Sequence, residues 1–202
     1  MGKLTKTAKT LDTVVKVLQV IASIGIVASI IGALMLGAGL LFDIDPSQFG
    51  EMEYSISLGS HTFQLSEEAL ISVDQVWTFG IITTAIAALN LALMYVFFKF
   101  VRAIFVPMKE GKPFHDTVTK NLKKLGYLSI IMCVVDTVTK LAIDVLTLVI
   151  FPVQDTMGEY VTGIDYIVEI KMEYLLLAGM CFLLSYIFDY GESLQQLSDE
   201  TL

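Results

Sequence analysis

The chain has few of the residues from which catalytic and metal sites are usually built. Its 202 residues include two histidines and two cysteines. It contains no HExxH, GxSxG or CxxC motif and no glycine-rich phosphate loop. We therefore predict that the protein is not an enzyme and has no catalytic residue, no metal site and no cofactor. Both cysteines, Cys133 and Cys181, fall inside long apolar stretches, where thiols usually pack as small apolar groups.

Charged residues are scarce as well. They make up 17% of the chain, whereas 55% of the residues are hydrophobic and the mean hydropathy is +0.72. Because soluble domains of this size are less apolar, the composition predicts an integral membrane protein. Four apolar stretches are long enough to cross about 30 Å of hydrocarbon. We predict one domain, residues 1–202, folded as an all-α membrane protein with a four-transmembrane-helix bundle at about 14–42, 75–106, 125–153 and 172–190.

Basic residues are missing from most of the segments that join these helices. Eleven of the thirteen Lys and Arg residues precede the first helix or surround the connection 107–124. Cytoplasmic flanks of membrane helices retain positive charge, so both termini and this connection are predicted to be cytoplasmic. Segments 43–74 and 154–171 are then outside. The two histidines, His61 and His115, would lie on opposite sides of the membrane and could not share a metal ion within one protomer.

The first outer segment has seven acidic residues and no basic one. Within it, the stretch YSISLGSHTFQL alternates apolar and polar residues on both sides of Gly59 and Ser60. This pattern predicts a small extracellular β-hairpin that caps the bundle. The alternation in DYIVEI, residues 165–170, predicts a third strand beside it.

The inner connection predicts a short cytoplasmic amphipathic helix before the third crossing. Val118, Leu122 and Leu125 share one face of that helix, and lysines occupy the other face. Such a helix is typical of a segment that lies in the lipid headgroup layer.

Small residues recur every four positions in the first two helices, which predicts that the two helices pack ridge to ridge unless the runs arise by chance. The two ridges are Gly25, Ser29, Ala33 and Gly37 in the first helix, and Gly80, Thr84, Ala88 and Ala92 in the second.

The third helix carries a polar stripe in the middle of its apolar sequence. Asp136, Lys140 and Asp144 follow one another at four-residue spacing, with Thr137 on the same face. Lys140 is within reach of either carboxylate, and Asn90 of the second helix is a candidate hydrogen-bond partner. Charged groups inside a membrane pair with one another and face the bundle interior. The stripe therefore indicates either a structural contact between helices or a relay for protons or cations.

Two cytoplasmic stretches resemble a known family. GKPFHDTVTKNLKKLGYL, residues 111–128, and YGESLQQLSDETL, residues 190–202, resemble the signatures of a bacterial family of four-helix membrane proteins of unknown function, the YoaS-like group. The resemblance implies a multi-pass protein in the plasma membrane of a bacterium. We interpret the two stretches as one cytoplasmic platform, formed by Gly111, Lys112, Pro113, Phe114, Asn121, Gly191, Leu194 and Asp199.

The resemblance also implies a role in regulation. Members of that family are often encoded beside a small helix-turn-helix regulator, which implies a signalling membrane protein that controls a cytoplasmic transcription regulator. Besides the bilayer, this regulator and further copies of the chain are the candidate partners, and no direct binding of nucleic acid is expected. One alternative is a small proton- or cation-coupled transporter or subunit that uses the polar stripe. Another is immunity to a cationic peptide, which the acidic outer segments would attract.

Overall fold

The computed structural model describes residues 3–44, 55–58, 61–64, 72–112, 114–150 and 168–200. These residues form long helices and one short strand pair, so the prediction of an all-α bundle is confirmed for the helical part of the chain. The elements are α1 (Lys3–Leu41), β1 (Ser55–Leu58), β2 (His61–Gln64), α2 (Val73–Lys109), α3 (Asp116–Ile150) and α4 (Met172–Glu200).

Three of the described helices are long and apolar enough to cross a membrane. The candidate spans are Thr5–Leu41 in α1, Val73–Lys109 in α2 and Met172–Leu197 in α4. Over its described residues, α3 is not among them. A crossing by α3, and with it the predicted four-pass topology, therefore stays a prediction.

The helices extend beyond the predicted spans at the ends that carry the basic residues. α1 begins at Lys3 rather than near residue 14, and α4 ends at Glu200 rather than near residue 190. Lys, Leu, Gln and Glu have high helix propensity, and no proline interrupts either extension. The polar flanks therefore continue the helical backbone instead of ending it.

α2 ends in a cap built around Gly111. The amide of Lys112 donates to the carbonyl of Pro107 at 3.0 Å, and the amide of Gly111 donates to the carbonyl of Met108 at 3.2 Å. Gly111 has a φ of 79°, in the left-handed region that glycine adopts without a Cβ penalty. This is the Schellman pattern of a helix end, and it explains the glycine of the GKPF turn.

The predicted amphipathic helix before the third crossing is wrong as a separate element. α3 runs without a break from Asp116 to Ile150. Val118, Leu122 and Leu125 are 0%, 6% and 5% exposed and pack in one apolar cluster. Side chains of α2 and α4 cover this face. It therefore does not lie in the lipid headgroup layer.

The chain divides into two compact units, and α1, α2 and α3 each contribute to both. Unit 1 contains α1 up to Ile26, residues 89–136 and residues from Ile170 onward. Its core joins Ile104 of α2 and Cys181 of α4 to the buried face of α3. Unit 2 contains α1 from Val27, α2 up to Ala88, residues 137–169 and the strand pair.

In unit 2, glycines of one helix face large side chains of the other. A Cβ added at Gly39 would lie 2.8 Å from the Trp77 ring, and one added at Gly80 would lie 3.2 Å from Leu36. The Trp77 Nε1 group donates to the carbonyl of Ile44 at 3.0 Å. The ring is therefore held by both a close contact and a hydrogen bond.

Of the predicted ridges, Gly25, Gly80 and Thr84 each face a side chain or backbone of the other helix, but the prediction is wrong at Gly37. Gly25, Gly32 and Gly39 face α2, at Leu91 in unit 1 and at Thr84 and Trp77 in unit 2. Nothing lies within 4 Å of a Cβ added at Gly37. Seven-residue steps, two helical turns, keep a position on the helix-facing side of a left-handed pair, whereas four-residue steps drift around the helix.

β1 and β2 pair antiparallel, with Ser55 opposite Gln64 and Leu58 opposite His61. That this hairpin caps an extracellular face stays a prediction. Of the predicted third strand, residues 165–167 lie outside the described residues, and Val168 to Ile170 are in no strand.

The two glycines near the end of α1 provide a test of this packing. We expect Gly39→Ala to destabilise the protein by about 1–3 kcal/mol, because the new methyl group overlaps the Trp77 ring. Gly37→Ala has open space and should be neutral or stabilise by about 0.5–1 kcal/mol through better helix propensity. Thermal unfolding in detergent, followed by the emission of Trp77, the single tryptophan, measures both. Equal effects of the two substitutions would contradict the packing.

Candidate functional site

The predicted cytoplasmic platform is partly assembled in unit 1. The Phe114 ring, just before α3, lies 5.6 Å from the Phe188 ring of α4 between centroids. A Cβ added at Gly191 would lie 2.5 Å from a ring carbon of Phe114. Only a residue without a side chain fits at position 191, so glycine lets the α2–α3 turn dock on α4. The structure thus brings together Phe114 and Gly191 from the two family-like stretches.

The other platform residues have separate roles. Gly111 caps α2, and Lys112 is exposed. Asn121 is buried, and its Nδ2 group donates to the carbonyl of Thr117 one turn earlier at 2.8 Å. Leu194 is 49% exposed. Pro113 and the Asp199 side chain lie outside the described residues.

An acidic pocket lies beside the Phe114–Gly191 contact and was not predicted. Its volume is about 530 Å³. Asp116 contributes from the first turn of α3, and the rest of the wall comes from the last turns of α4. The lining residues are Asp116, Tyr186, Asp189, Tyr190, Glu192, Ser193 and Gln196.

The electrostatics of this acidic pocket are dominated by carboxylates. Lys120 pairs with Asp116 at 2.6 Å. The hydrogen bond that Lys120 donates to Asp116, with a smaller contribution from the charge of Glu192, raises the pKa of Lys120 above its ordinary value. Asp189 and Glu192 add further negative charge to the lining. The sequence signal was the pair of acids three residues apart on α4, next to two tyrosines on the same helix face.

A second charged cluster ties α1 to α2 in unit 1. Asp12 lies 3.3 Å from Arg102 Nε and 2.7 Å from Lys109 Nζ, and Arg102 also donates to Gln19 Oε1 at 3.0 Å. The Asp12 side chain is only 13% exposed. Sequence reasoning missed this cluster, although Asp12 is the one acid among the basic residues that precede the first apolar stretch.

The charges of the polar stripe find partners in the segment before α4. In unit 1, Asp136 lies 2.8 Å from Lys171, and this hydrogen bond raises the pKa of Lys171. In unit 2, Lys140 forms an ion pair with Glu169. The expected pairing of Lys140 with Asp136 or Asp144 is replaced by these contacts, because residues 168–171 present opposite charge at the α3 surface.

The remaining stripe residues are not drawn into one site by the described contacts. Asn90 and Asp136 belong to unit 1, whereas Thr137, Lys140 and Asp144 belong to unit 2. The side chains of Lys140 and Glu169 are 47% and 64% exposed. Asp144 has no ion pair with another described residue.

Comparison of the chain with protein-family models, with curated proteins and with solved structures gave no match. The resemblance to the YoaS-like group therefore stays a prediction, and the site is interpreted from its own geometry.

Removal of the Asp12 carboxylate should show how much the cluster of Asp12, Arg102 and Lys109 contributes to the stability of the protein. We expect Asp12→Asn to lower the free energy of unfolding by about 1–3 kcal/mol, because Arg102 and Lys109 lose their shared anion in a partly desolvated place. The matched control is Lys120→Gln, which breaks an exposed pair and should cost less than about 1 kcal/mol. Thermal unfolding followed by circular dichroism compares them. Equal stability of Asp12→Asn and the unmodified protein would show that the cluster adds nothing.

Proposed function

We propose that this chain is a multi-pass membrane protein of regulatory type that binds a basic cytoplasmic regulator at the acidic pocket. The observation that carries the proposal is the pocket itself, in which Asp116, Asp189 and Glu192 stand beside Tyr186 and Tyr190. Clefts lined by charge of one sign attract ligands of the opposite sign. The tyrosine rings add faces on which arginine side chains stack.

The meeting of helix ends in unit 1 supports a cytoplasmic position for the pocket. In unit 1, Asp12 joins the beginning of α1 to the end of α2, and Phe114 joins the α2–α3 turn to the end of α4. The helix ends with the most lysine and arginine thus meet at one end of unit 1. Positive charge stays on the inside of a membrane. We therefore place this end in the cytoplasm, with both termini, and treat α3 as a fourth crossing.

α3 can cross the membrane although it is less apolar than its neighbours. It packs antiparallel on α2 through Val118 and Leu122, and its Cys133 Sγ lies 3.7 Å from the carbonyl of Lys171, immediately before α4. The charged groups Asp136 and Lys140 each have an opposite charge at hand. Pairing lowers the penalty that charged groups meet in hydrocarbon. The β1–β2 hairpin would then lie outside, as part of an acidic cap.

A transcription regulator of the helix-turn-helix class is the partner whose chemistry fits best. A protein that binds DNA carries lysine and arginine on the face that contacts phosphates. The acidic pocket would attract that same face. A regulator bound at the membrane could not bind its operator at the same time, and a change in the bundle would release it to DNA.

The four-pass topology can be tested by accessibility. We expect cysteines placed at Lys112 and Gln195 to react with a membrane-impermeant maleimide only after the cells are opened, because both positions are exposed and lie at the basic end. Thr62→Cys, on the hairpin, should react in intact cells. Labelling of Lys112→Cys in intact cells would contradict the topology.

The acidic pocket can be tested with charge-neutral variants that keep its shape. We expect Asp189→Asn with Glu192→Gln to lose most of the DNA-binding protein that co-purifies with the full-length chain, since two of three carboxylates are removed. Quantitative mass spectrometry of proteins captured from native membranes at low and high salt measures this.

Glu173→Gln is the matched control, because Glu173 lies in the first turn of α4, at the other end of the helix. It should leave capture unchanged. Equal capture by the pocket variant and the control, or capture that does not fall with salt, would overturn the proposed function.

A further inference from the structure

A cation of the chain itself is already bound at the edge of the acidic pocket. Within the part of the chain that the structure describes, Lys120 is the basic residue that forms an ion pair with a carboxylate of the pocket wall. Its Nζ group lies 2.6 Å from the Asp116 carboxylate, one helical turn earlier on α3. The charge of Glu192, which lines the pocket from α4, also favours the charged form of Lys120.

The Lys120 contact is reversible. The side chains of Lys120 and Asp116 are 68% and 53% exposed, so neither belongs to the apolar core of unit 1. The ammonium group of lysine ends a flexible four-carbon stem and binds as a point charge. It can leave Asp116 by rotation about its own side-chain bonds, without a change in the backbone of α3.

Lys120 neutralises only part of the pocket. Asp189 and Glu192 have no ion pair with any other residue that the structure describes, and both line the cavity with Asp116. Three carboxylates and one ammonium group leave two negative charges. A basic ligand can therefore bind at the two acids of α4 while Lys120 still holds Asp116.

At Asp116, a ligand has to replace Lys120. Because Lys120 is attached to the same helix as Asp116, it competes at a high effective concentration. A ligand already held by Asp189 and Glu192 gains the same advantage. An arginine side chain gains more, because its guanidinium group binds a carboxylate through two parallel N–H groups, whereas lysine offers a single point charge.

We infer that Lys120 is an internal competitor for Asp116, so that an arginine-rich segment binds at Asp189 and Glu192 and gains Asp116 only by displacing Lys120. The inference rests on the proposed function, because it concerns the regulation of the same pocket. Its consequence is that the unmodified chain binds its partner less tightly than its three carboxylates allow. Loss of the positive charge at position 120 should therefore strengthen binding.

The affinity of the full-length protein for a fluorescein-labelled hexa-arginine peptide tests the competition. In an uncharged detergent and about 0.15 M salt, we expect Lys120→Gln to lower the Kd about two- to fivefold, because an exposed ion pair changes an equilibrium by a small factor. Fluorescence anisotropy measures the Kd.

Lys123→Gln is the matched control. It removes the same charge from the same helix, but Lys123 forms no ion pair with another residue of the described chain. The Kd should change less than about 1.5-fold, because charges beyond a Debye length are screened.

Asp116→Asn shows whether the gain arises at that carboxylate. In this background Lys120 has lost its ion-pair partner, so the further change Lys120→Gln should add no more than Lys123→Gln does. Lys120→Arg keeps the charge and the contact with Asp116, and it should bind the peptide no more tightly than the unmodified chain.

Equal affinities of Lys120→Gln and Lys123→Gln would overturn the inference. So would a gain that persists undiminished in the Asp116→Asn background. In either case, loss of the peptide from Asp189→Asn with Glu192→Gln would still support the acidic pocket, which separates the two proposals. A peptide that binds neither the unmodified chain nor Lys120→Gln would overturn both.

Discussion

The packing of α3 against α2 and α4 is the contact on which unit 1 depends. Val118 has no exposed surface, and with Leu122 it fills the space between Ile104 and Cys181. Burial of several such side chains contributes on the order of 1.5–3 kcal/mol each before chain entropy is counted. The short turn that begins at Gly111 makes α3 reverse along α2, so the sequence-distant α4 tail meets the start of α3.

The candidate site follows from that reversal. Because Phe114 docks on Gly191, Asp116 at the start of α3 stands beside Asp189 and Glu192 of α4. None of these acids is unusual alone. Together they make a carboxylate-rich pocket in unit 1, beside the helix ends that carry most of the basic residues.

Local patterns predicted much of the fold. Long apolar runs located the helices, the period-two alternation located β1 and β2, and the GKPF sequence marked a turn at Gly111. Apart from the separate amphipathic helix, which is part of α3, the errors concern which side chains cover a helix face. Val118 and Leu122 predicted a helix in the headgroup layer, because an amphipathic helix has the same pattern whether protein or lipid covers it. The prediction that Gly37 packs against α2 is wrong, because small residues pack as well against large side chains as against small ones.

Charge pairing also divides into what the local sequence predicts and what the packing of distant segments decides. The sequence by itself determined that α3 carries an Asp/Lys/Asp face, that the bundle is helical and apolar, and that its basic residues collect at the ends of the helices, since these depend on composition and on 3.6-residue periodicity. Only the tertiary structure decided that Asp136 meets Lys171, that Asp12 meets Arg102 and Lys109, and that three acids line one pocket. Periodicity specifies the direction in which a side chain leaves its own helix, whereas the neighbour it meets depends on how distant segments pack.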